Sequence, residues 1–460
     1  MLTPLPYFED SAPRFEAFAD SPWAVFLDSG RHHLTQSRYD IIAAEPFMTL
    51  TTRGGMTEVR QHGEIKLSPE DPFGLLRNAL GPQGASYEGV PFCGGAIGYF
   101  GYDLARRFEK LPCHAEDREN LPEMAVAVYD WAYVVDHQER KSWLASSGRD
   151  PVTATKWNEL AGRFASPVKE RFRAPFRLAS SLVSNLTFEQ YARAFKRIQS
   201  YIQAGDCYQV NLAQRFAAQA EGDPWLAFQY LRTINPAPFG AYLNTAHGQV
   251  LSASPERFLK VREGEVETKP IKGTRPRAGH PRLDAALAEV LRESEKDRAE
   301  NLMIVDLLRN DLSKTCGEVR VPKLFDVESF PTVHHLVSTV TGALRPGADA
   351  IEVLRSCFPG GSITGAPKLR AMQIIEELEP HRRGVYCGAI GYIGFDGAMD
   401  CNIAIRTLIY SEGTVRFWAG GGIVADSRLA DEYRETFDKA AAMLRLLQQG
   451  ADLFQDHVGH

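Results

Sequence analysis

Short apolar runs separated by glycine, proline and charged clusters fill the first third of the chain. Ala24–Leu27, Tyr39–Ala43 and Phe47–Leu50 are such runs, and their length predicts short β-strands. A longer apolar run, Met124–Val135, predicts a single buried strand. Between Ser146 and Ser184 the chain becomes polar and basic, which predicts the crossover between two domains.

After this crossover the apolar positions recur with the period of a helix. Thr187 and Gln190 have the spacing of a capping box, and apolar residues follow at helical spacing until Gly205. Strand-like stretches separate four further predicted helices, over residues 284–292, 295–309, 367–378 and 429–448. Helices and strands alternating in this way predict an α/β or α+β fold.

One nine-residue segment occurs twice. Gly95–Asp103 reads GAIGYFGYD and Gly388–Asp396 reads GAIGYIGFD. Glycine-rich strands can resemble each other by chance, so the similarity alone leaves two interpretations open. The more specific one is a duplicated β-element, one copy in each half of a two-sheet architecture. Because only the second copy leads into an arginine in an apolar context, Arg406, only that copy is a candidate for ligand contact.

Length and composition narrow the class of protein. A chain of 460 residues is long enough for two domains or for two fused halves of one large fold. The net charge is −6 and the basic residues are scattered, so no nucleic-acid-binding face is expected. No apolar run has membrane length and no secretory leader is visible, and the seven cysteines lack CxxC spacing. We therefore expect a cytoplasmic protein with free thiols.

The loop Gly360–Lys368 has the glycine spacing of a phosphate loop. Ala366 and Pro367 stand where that motif needs lysine and a hydroxyl residue, so a nucleotide site is excluded. Small residues before a helix start still allow backbone N–H groups to approach an anion. An ordinary loop before a helix is the alternative.

Two acidic pairs lie on predicted helices. Asp297 with Glu300, and Glu432 with Glu435, are each three residues apart, which places each pair on one helical face. If the two faces were opposed, their carboxylates and bound waters would suit Mg²⁺. Taken singly, such pairs are usually solvated surface groups.

Lys272 lies between an isoleucine and a glycine in a segment bounded by prolines. A lysine is normally a solvated charge. Burial or a neighbouring cation would lower its pKa and free the amine as a nucleophile.

Ten segments of the chain resemble those of the chorismate-utilising enzymes. They follow the family's order from about Leu186 to about Leu447, while the N-terminal part is more weakly similar. The segments are QAGDCYQVNLAQRF, NPAPFGAYL, SASPERF, KPIKGTRPR, KDRAENLMIVDLLRNDL, FPTVHHLVSTV, FPGGSITGAPK, YCGAIGY, NIAIRTL and GGGIVADSRLADEYRETFDKA. The resemblance implies two β-sheets packed face to face with helices outside. It also implies an N-terminal β-rich domain over residues 1–183 and a chorismate-binding catalytic domain over residues 184–460.

The same resemblance implies roles for individual residues. Glu300 and Glu435 are expected to bind Mg²⁺ directly. Asp297 and Glu432 are expected to bind it mainly through water, and Asp297 replaces the more usual glutamate. The metal would hold the ring carboxylate of chorismate, and Glu256 would act as general acid or base at the departing group. Arg406 and Tyr386 are expected at the pyruvyl carboxylate and His335 near the C4 hydroxyl, with further substrate contacts from Gln209, Thr274, Ser362, Thr364, Gly365, Lys368, Gly420, Gly421 and Gly422.

Two positions divide the family by chemistry. Members that add water resemble one another in having a lysine where this chain has Gln209, and an amide cannot act as a base at neutral pH. Anthranilate synthases usually have alanine where this chain has Lys272, whereas the enzymes that make aminodeoxychorismate usually have lysine. The resemblance therefore implies amination of chorismate at C4, with Lys272 forming a covalent adduct at C2. Anthranilate synthesis is the alternative, and a non-catalytic, tryptophan-binding regulatory subunit is an interpretation from a different class.

The resemblance also implies partners. No glutaminase-type cysteine motif is visible, so ammonia is expected from a separate glutamine amidotransferase subunit. The segment Leu27–Gly30 loosely matches the region in which some family members bind tryptophan, so tryptophan is a candidate ligand of the N-terminal part.

Overall fold

A computed structural model describes residues 1–30, 36–84, 86–166, 171–330 and 333–452. Pro331 and Thr332 of the FPTVHHL segment therefore lie outside the described residues. The helices are α1 (Ala12–Phe15), α2 (Pro72–Leu80), α3 (Pro151–Ala165), α4 (Phe188–Gln203), α5 (Pro224–Ile234), α6 (Pro281–Glu293), α7 (Glu295–Ser313), α8 (Ala350–Cys357), α9 (Lys368–Leu378) and α10 (Leu429–Asp452), with short 3-10 helices at Tyr102–Arg107 and Gly361–Ile363.

The strands come from the whole length of the described chain. They are β1 (Leu2–Leu5), β2 (Ala24–Asp28), β3 (Tyr39–Ala43), β4 (Met48–Arg53), β5 (Met56–Gln61), β6 (Glu64–Ser68), β7 (Gly95–Phe100), β8 (Met124–Tyr129), β9 (Trp131–Asp136), β10 (Lys141–Ser146), β11 (Arg177–Leu178), β12 (Val183–Ser184), β13 (Gln209–Glu221), β14 (Phe239–Thr245), β15 (Gly248–Ser254), β16 (Arg257–Arg262), β17 (Glu265–Thr268), β18 (Ile271–Pro276), β19 (Cys316–Ser329), β20 (Val333–Leu344), β21 (Gly365–Ala366), β22 (Ala389–Gly394), β23 (Met399–Ile403), β24 (Thr407–Ser411) and β25 (Thr414–Ile423).

These strands form two large antiparallel sheets. Among the described residues, the first sheet has 13 strands in the order β1-β10-β9-β3-β2-β14-β15-β24-β25-β13-β11, with β12 and β21 also paired to β13. The second has 12 strands in the order β18-β20-β17-β16-β23-β22-β7-β8-β4-β5-β6, with β19 paired to β20. Both sheets contain strands from both sides of residue 183, and the domain division at that residue stays a prediction.

The core lies between the sheets. On β2 and β3, Val25 and Ile41 join a buried cluster that includes side chains of the second sheet, such as Leu50 and Ile97. Their neighbours along the strand point the opposite way, as the two-residue period of a strand requires. Phe26, for example, lies in a separate cluster with residues of α1, α3, α5 and α10 on the outer face of the first sheet. The predicted fold, two sheets packed face to face with helices outside, is confirmed.

The repeated segment forms a pair of neighbouring strands. β7 and β22 are antiparallel partners, and Gly98 lies opposite Gly391. A Cβ atom at either glycine would come within 2.2 Å of a backbone oxygen on the adjacent strand, so close approach of strands explains why both copies need glycine. The two halves of the chain therefore meet at the centre of the second sheet.

The prediction of a single strand over Met124–Val135 is wrong. The segment forms β8 in the second sheet and β9 in the first, and the chain passes between the sheets at Asp130. The buried Asp130 carboxylate accepts hydrogen bonds from the Ser146 and Ser147 hydroxyls, each at 3.0 Å, and from the Arg149 N–H. Both strands are buried on both faces, which is why their sequence reads as one continuous apolar run.

The main helices follow the predicted pattern. The capping box of α4 is confirmed, because the Thr187 side chain accepts from the Gln190 N–H and the Gln190 side chain accepts from the Thr187 N–H. The four other predicted helices correspond to α6, α7, α9 and α10. The polar crossover contains a helix that was not predicted, α3.

Candidate active site

The loop that resembled a phosphate loop lies against the start of β13. Gly365 and Ala366 pair with Val210 and Gln209, and the Asn211 N–H donates to the Thr364 carbonyl at 2.8 Å. Gly365 has a φ of +145°, and a Cβ atom there would lie 2.1 Å from the Gln209 carbonyl oxygen. Only glycine can occupy this position without strain. The loop thereby brings Ser362 next to β13.

Ser362 connects the two residues predicted to carry the chemistry. Its hydroxyl donates to Glu256 Oε1 at 2.8 Å. Its carbonyl oxygen accepts from Lys272 Nζ at 3.4 Å and from Asn211 Nδ2 at 3.2 Å. The candidate acid and the candidate nucleophile therefore share one serine as a contact, although they are far apart in sequence.

Glu256 has the properties of a general acid. It follows the end of β15, and only 5% of its surface is exposed. Burial raises its pKa to about 7, although the hydrogen bond from Ser362 and the charge of Lys272 oppose the shift. A carboxyl group with this pKa is substantially protonated near neutral pH and can donate its proton to a leaving group.

Lys272, on β18, points into the site and is half-buried. Burial lowers the pKa of its amine. The charge of Glu300 opposes this shift, and the nearby charge of Lys439 adds to it. A lowered pKa increases the fraction of neutral amine, which is the nucleophilic form.

A second wall of the site carries neutral hydrogen-bonding groups. Thr274 Oγ1 lies 2.9 Å from His335 Nδ1. Burial, together with the charge of Arg406, lowers the pKa of His335 to about 3, so this ring is uncharged at neutral pH. The Tyr386 ring stacks on Trp418 with centroids 6.0 Å apart. Burial raises the pKa of the Tyr386 hydroxyl well above its ordinary value, so this group too is neutral.

Arg406 provides the cation of this wall. Its φ of +50° places it in the left-handed region, and burial lowers the pKa of its guanidinium. Within the part of the chain that the structure describes, the guanidinium has no carboxylate partner. A half-buried, unpaired guanidinium is suited to binding a carboxylate from a ligand.

The acidic residues of α7 and α10 lie close enough for the charge of one helix to affect a carboxyl of the other. Burial raises the pKa of Glu300, and the charges of Asp297 and Glu435 add to the shift while Lys272 opposes it. Burial also raises the pKa of Glu432, and the charge of Glu435 adds to it. Burial would raise the pKa of Glu435 as well, but the Lys439 ammonium 2.6 Å away outweighs it and the net shift is downward. The charges of Glu300 and Glu435 therefore influence each other across the two helices, while a shared metal site for the two pairs stays a prediction.

Cations of the chain neutralise this cluster. Arg275 contacts Asp297 at 2.9 Å, and Lys296 lies 3.8 Å from Glu300. In their present positions, no three acidic, histidine or cysteine side chains of the described residues could hold a metal ion. The donors nevertheless fit Mg²⁺ in kind, because all are hard carboxylate oxygens. Glu432 Oε2 is also buried without a hydrogen-bond partner in the described part of the chain.

Gly420, Gly421 and Gly422 on β25 lie between this acidic cluster and Gln209. A Cβ atom at Gly421 would be 3.0 Å from Glu432 Oε2, and one at Gly422 would be 2.6 Å from Gln209 Nε2. The absence of side chains on this strand therefore lets Glu432 and Gln209 pack closely against it. Gln209 is completely buried, and its Nε2 donates to Asn211 Oδ1 at 3.1 Å.

Two predicted contacts have partners within the protein. Lys368 Nζ contacts Asp311 at 2.5 Å and the Cys357 carbonyl at 2.7 Å. The Thr364 hydroxyl donates to the carbonyl oxygens of Gly360 and Gly361. These contacts hold the loop in place, and a role in binding substrate stays a prediction for both residues.

Sequence reasoning missed Asn211 and Lys439. Asn211 lies two residues after Gln209 on one strand, so both side chains are on the same face; the motif CYQVN contained that signal. Lys439 lies four residues after Glu435, which is the spacing of a helical ion pair.

A cavity of about 540 Å³ is lined by residues of both sheets. Three residues of the candidate tryptophan segment Leu27–Gly30, namely Leu27, Asp28 and Ser29, line it together with Tyr39 and Phe239. Asp28 is held by Arg232 through contacts of 2.9 and 3.1 Å, and Ser29 donates to Asp40.

A family model described as chorismate binding enzyme matches residues 25–445. This chain belongs to that family. Aminodeoxychorismate synthase component 1 of Klebsiella aerogenes is 49% identical over 458 residues, with 97% of this chain and 100% of the relative covered. The protein of that name from Escherichia coli K12 is also 49% identical, with 95% of each chain covered.

The fold of the family is also found among solved structures. Anthranilate synthase component I of Streptococcus pneumoniae superposes with a TM-score of 0.79 at 33% identity, covering 88% of this chain and 92% of that structure. In the described residues no helix is both long and apolar enough to cross a membrane.

Proposed function

We propose that the protein is the chorismate-aminating component of aminodeoxychorismate synthesis, a step towards 4-aminobenzoate and folate. The central observation is the pairing of an amine with a lowered pKa, Lys272, and a carboxyl with a pKa of about 7, Glu256, across one serine. The relatives of nearly half identity carry the name of that enzyme.

The chemistry follows from the protonation states of these two groups. The neutral amine of Lys272 attacks C2 of chorismate, both conjugated ring double bonds shift, and the C4 hydroxyl leaves as water with the proton of Glu256, so that the nitrogen on C2 is a secondary ammonium. Ammonia then attacks C4, both double bonds shift back, and the C2–nitrogen bond breaks to release Lys272 as a neutral amine. The new C4 ammonium returns a proton to the Glu256 carboxylate, so the net reaction is chorismate plus ammonia giving aminodeoxychorismate and water.

The other residues bind and orient the substrate. Arg406 would pair with the pyruvyl carboxylate, and the neutral Tyr386 hydroxyl would donate a hydrogen bond to it. Neutral His335, held by Thr274, would contact the C4 hydroxyl. Glu300 and Glu435, with Asp297 and Glu432 through water, would hold Mg²⁺, which when bound supplies positive charge at the ring carboxylate.

The test is product analysis with two variants. Chorismate, Mg²⁺ and ammonium at alkaline pH should give aminodeoxychorismate, which retains the enolpyruvyl group. Lys272→Ala should lose this activity, because the nucleophile is gone. Lys323→Ala, which removes an exposed lysine outside the site, is the matched control and should retain it. Full aminodeoxychorismate output from Lys272→Ala at low ammonium would refute the covalent role, and release of pyruvate by the unmodified chain would favour anthranilate synthesis instead.

A partner protein and a cellular location belong to the same proposal. We propose that ammonia comes from a separate glutamine amidotransferase, which is consistent with the designation component 1 of the relatives. Turnover with glutamine by the purified single chain would refute this. A cytoplasmic location is consistent with the seven free cysteines.

We also propose that tryptophan occupies the cavity beside Leu27, Asp28 and Ser29. The volume of the cavity and its lining of aromatic and carboxylate side chains suit an amino acid with an indole side chain. Titration calorimetry tests this, and no heat of binding at millimolar tryptophan would exclude a site of useful affinity.

A further inference from the structure

A chain of amide hydrogen bonds connects β13 with Ser362. Gln209 Nε2 donates to Asn211 Oδ1 at 3.1 Å, and Asn211 Nδ2 donates to the Ser362 carbonyl at 3.2 Å. The same carbonyl oxygen accepts from Lys272 Nζ at 3.4 Å. The two amides therefore extend from the nucleophile into the interior of the protein.

The Ser362 end of this chain fixes the orientation of both amides. A carbonyl oxygen can only accept, so Asn211 must present its NH₂ group to Ser362. The Asn211 oxygen then faces Gln209, so the Gln209 NH₂ group must be the donor of that hydrogen bond. The network, rather than the shape of either side chain, assigns these orientations.

One acceptor is left without a donor. Gln209 is completely buried, and its Oε1 has no hydrogen-bond partner among the described residues. A buried amide oxygen without a donor is costly to the folded state unless a ligand supplies one. Gly422 makes room for this amide itself, because a Cβ atom there would lie 2.6 Å from Nε2 and 3.0 Å from Cδ.

We infer that Asn211 is a positioning residue that holds the Gln209 amide with Oε1 turned toward incoming ammonia. Ammonia has three N–H donors and one lone pair. Donation of an N–H to Oε1 leaves the lone pair available for attack on the ring. The inference rests on the proposed amination, and it assigns to Asn211 an effect on ammonia but none on the binding of chorismate.

The test is the split between the two Michaelis constants in Asn211→Ala. Without Asn211 the Gln209 amide can turn, and the acceptor for ammonia is no longer fixed. We expect the KM for ammonium to rise about tenfold, the effect of one hydrogen bond, while the KM for chorismate and the rate of Lys272 adduct formation without ammonia stay within about twofold. If the alanine variant does not fold, Asn211→Leu, of similar shape and without an amide, takes its place.

Asn211→Asp is the matched control. One carboxylate oxygen still accepts from Gln209 Nε2, so the Gln209 orientation and the KM for ammonium should be kept. The other oxygen has no hydrogen to donate to the Ser362 carbonyl, so this variant loses only the contact with Ser362. Its charge should lower kcat, because a carboxylate near Lys272 favours the protonated amine.

The possible failures have different meanings. An unchanged KM for ammonium in Asn211→Ala would overturn the inference. It would also be overturned if the KM for ammonium rose as much in Asn211→Asp as in Asn211→Ala. A parallel rise of both Michaelis constants with a lower melting temperature would also overturn it, since that is the effect of a purely structural residue. If the unmodified chain gave no aminodeoxychorismate, the proposed function itself would fail, and this role with it.

Discussion

Removal of the Ser362 hydroxyl should change the pH dependence of the reaction in a specific direction. In Ser362→Ala, Glu256 loses a hydrogen bond of 2.8 Å that stabilises its ionised form. The pKa of Glu256, about 7 in the unmodified chain, should therefore rise. The Ser362 carbonyl, which contacts Lys272, is unaffected by the substitution.

The size of the shift follows from the strength of such a bond. A hydrogen bond to a charged group contributes roughly 1.5–3 kcal/mol, and about 1.4 kcal/mol corresponds to one pKa unit. Because water entering the vacated space would restore part of the interaction, we expect a rise of about one unit. Catalysis needs protonated Glu256 and neutral Lys272, so the pH profile of kcat/KM should be a bell whose limbs report the two groups together.

The assay is the kcat/KM for chorismate from about pH 5.5 to 9.5, an interval that brackets the Glu256 pKa on both sides. The limb with its midpoint near pH 7 should move upward in Ser362→Ala and return in Ser362→Thr, which restores a hydroxyl. The KM for chorismate at the optimum should change little. A fixed limb, or an equal shift of both limbs, would show that Ser362 does not control Glu256. A large rise in KM alone would show that Ser362 binds the substrate instead.

Three further outcomes are expected. Burial raises the pKa of Glu256 from 4.5 to about 7, so the protonated carboxyl stabilises the fold fully below pH 4.5 and this contribution is lost as the pH rises through 7. From pH 5 to pH 8, the free energy of unfolding of Glu256→Gln should therefore increase by up to about 3 kcal/mol relative to that of the unmodified chain. A difference in urea midpoint between the two proteins that is the same at pH 5 and pH 8 would contradict this. Gly365→Ala combines a φ of +145° with a 2.1 Å clash, so it should lower the free energy of unfolding by more than about 2 kcal/mol, whereas Gly205→Ala, at a helix end with open space around the glycine, should cost less in the same denaturation assay. Arg406→Gln should raise the KM for chorismate at least about tenfold with a far smaller effect on the KM for ammonium, and equal effects on both would argue against a carboxylate contact.

Much of the local structure could be predicted from sequence because its signals are local. The capping box at Thr187 and Gln190 lies within one turn of α4, and the acidic pairs need only the helical repeat. The break at Asp130 could not be predicted, since strands buried on both faces lose the alternation that marks a boundary. Only the packing of the two sheets shows that the chain passes from one sheet to the other at Asp130, the aspartate within the apolar run.

The site itself depends on contacts that are distant in sequence. Residue type and family resemblance pointed to Glu256, Lys272 and Ser362. They did not indicate that Ser362 makes one hydrogen bond to Glu256 and another to Lys272. Asn211 was missed because its importance follows from an unpaired oxygen on Gln209. That feature exists only once the side chains are buried.

The most direct test of the account is the mass of the intact protein after incubation with chorismate and Mg²⁺ in the absence of ammonia. Lys272 acting as a nucleophile predicts a covalent adduct with the mass of chorismate less one water, located on Lys272 by peptide mapping and absent from Lys272→Ala. Ammonium should then remove the adduct and release aminodeoxychorismate. Catalytic turnover without any adduct, or an adduct on another residue, would contradict the central claim.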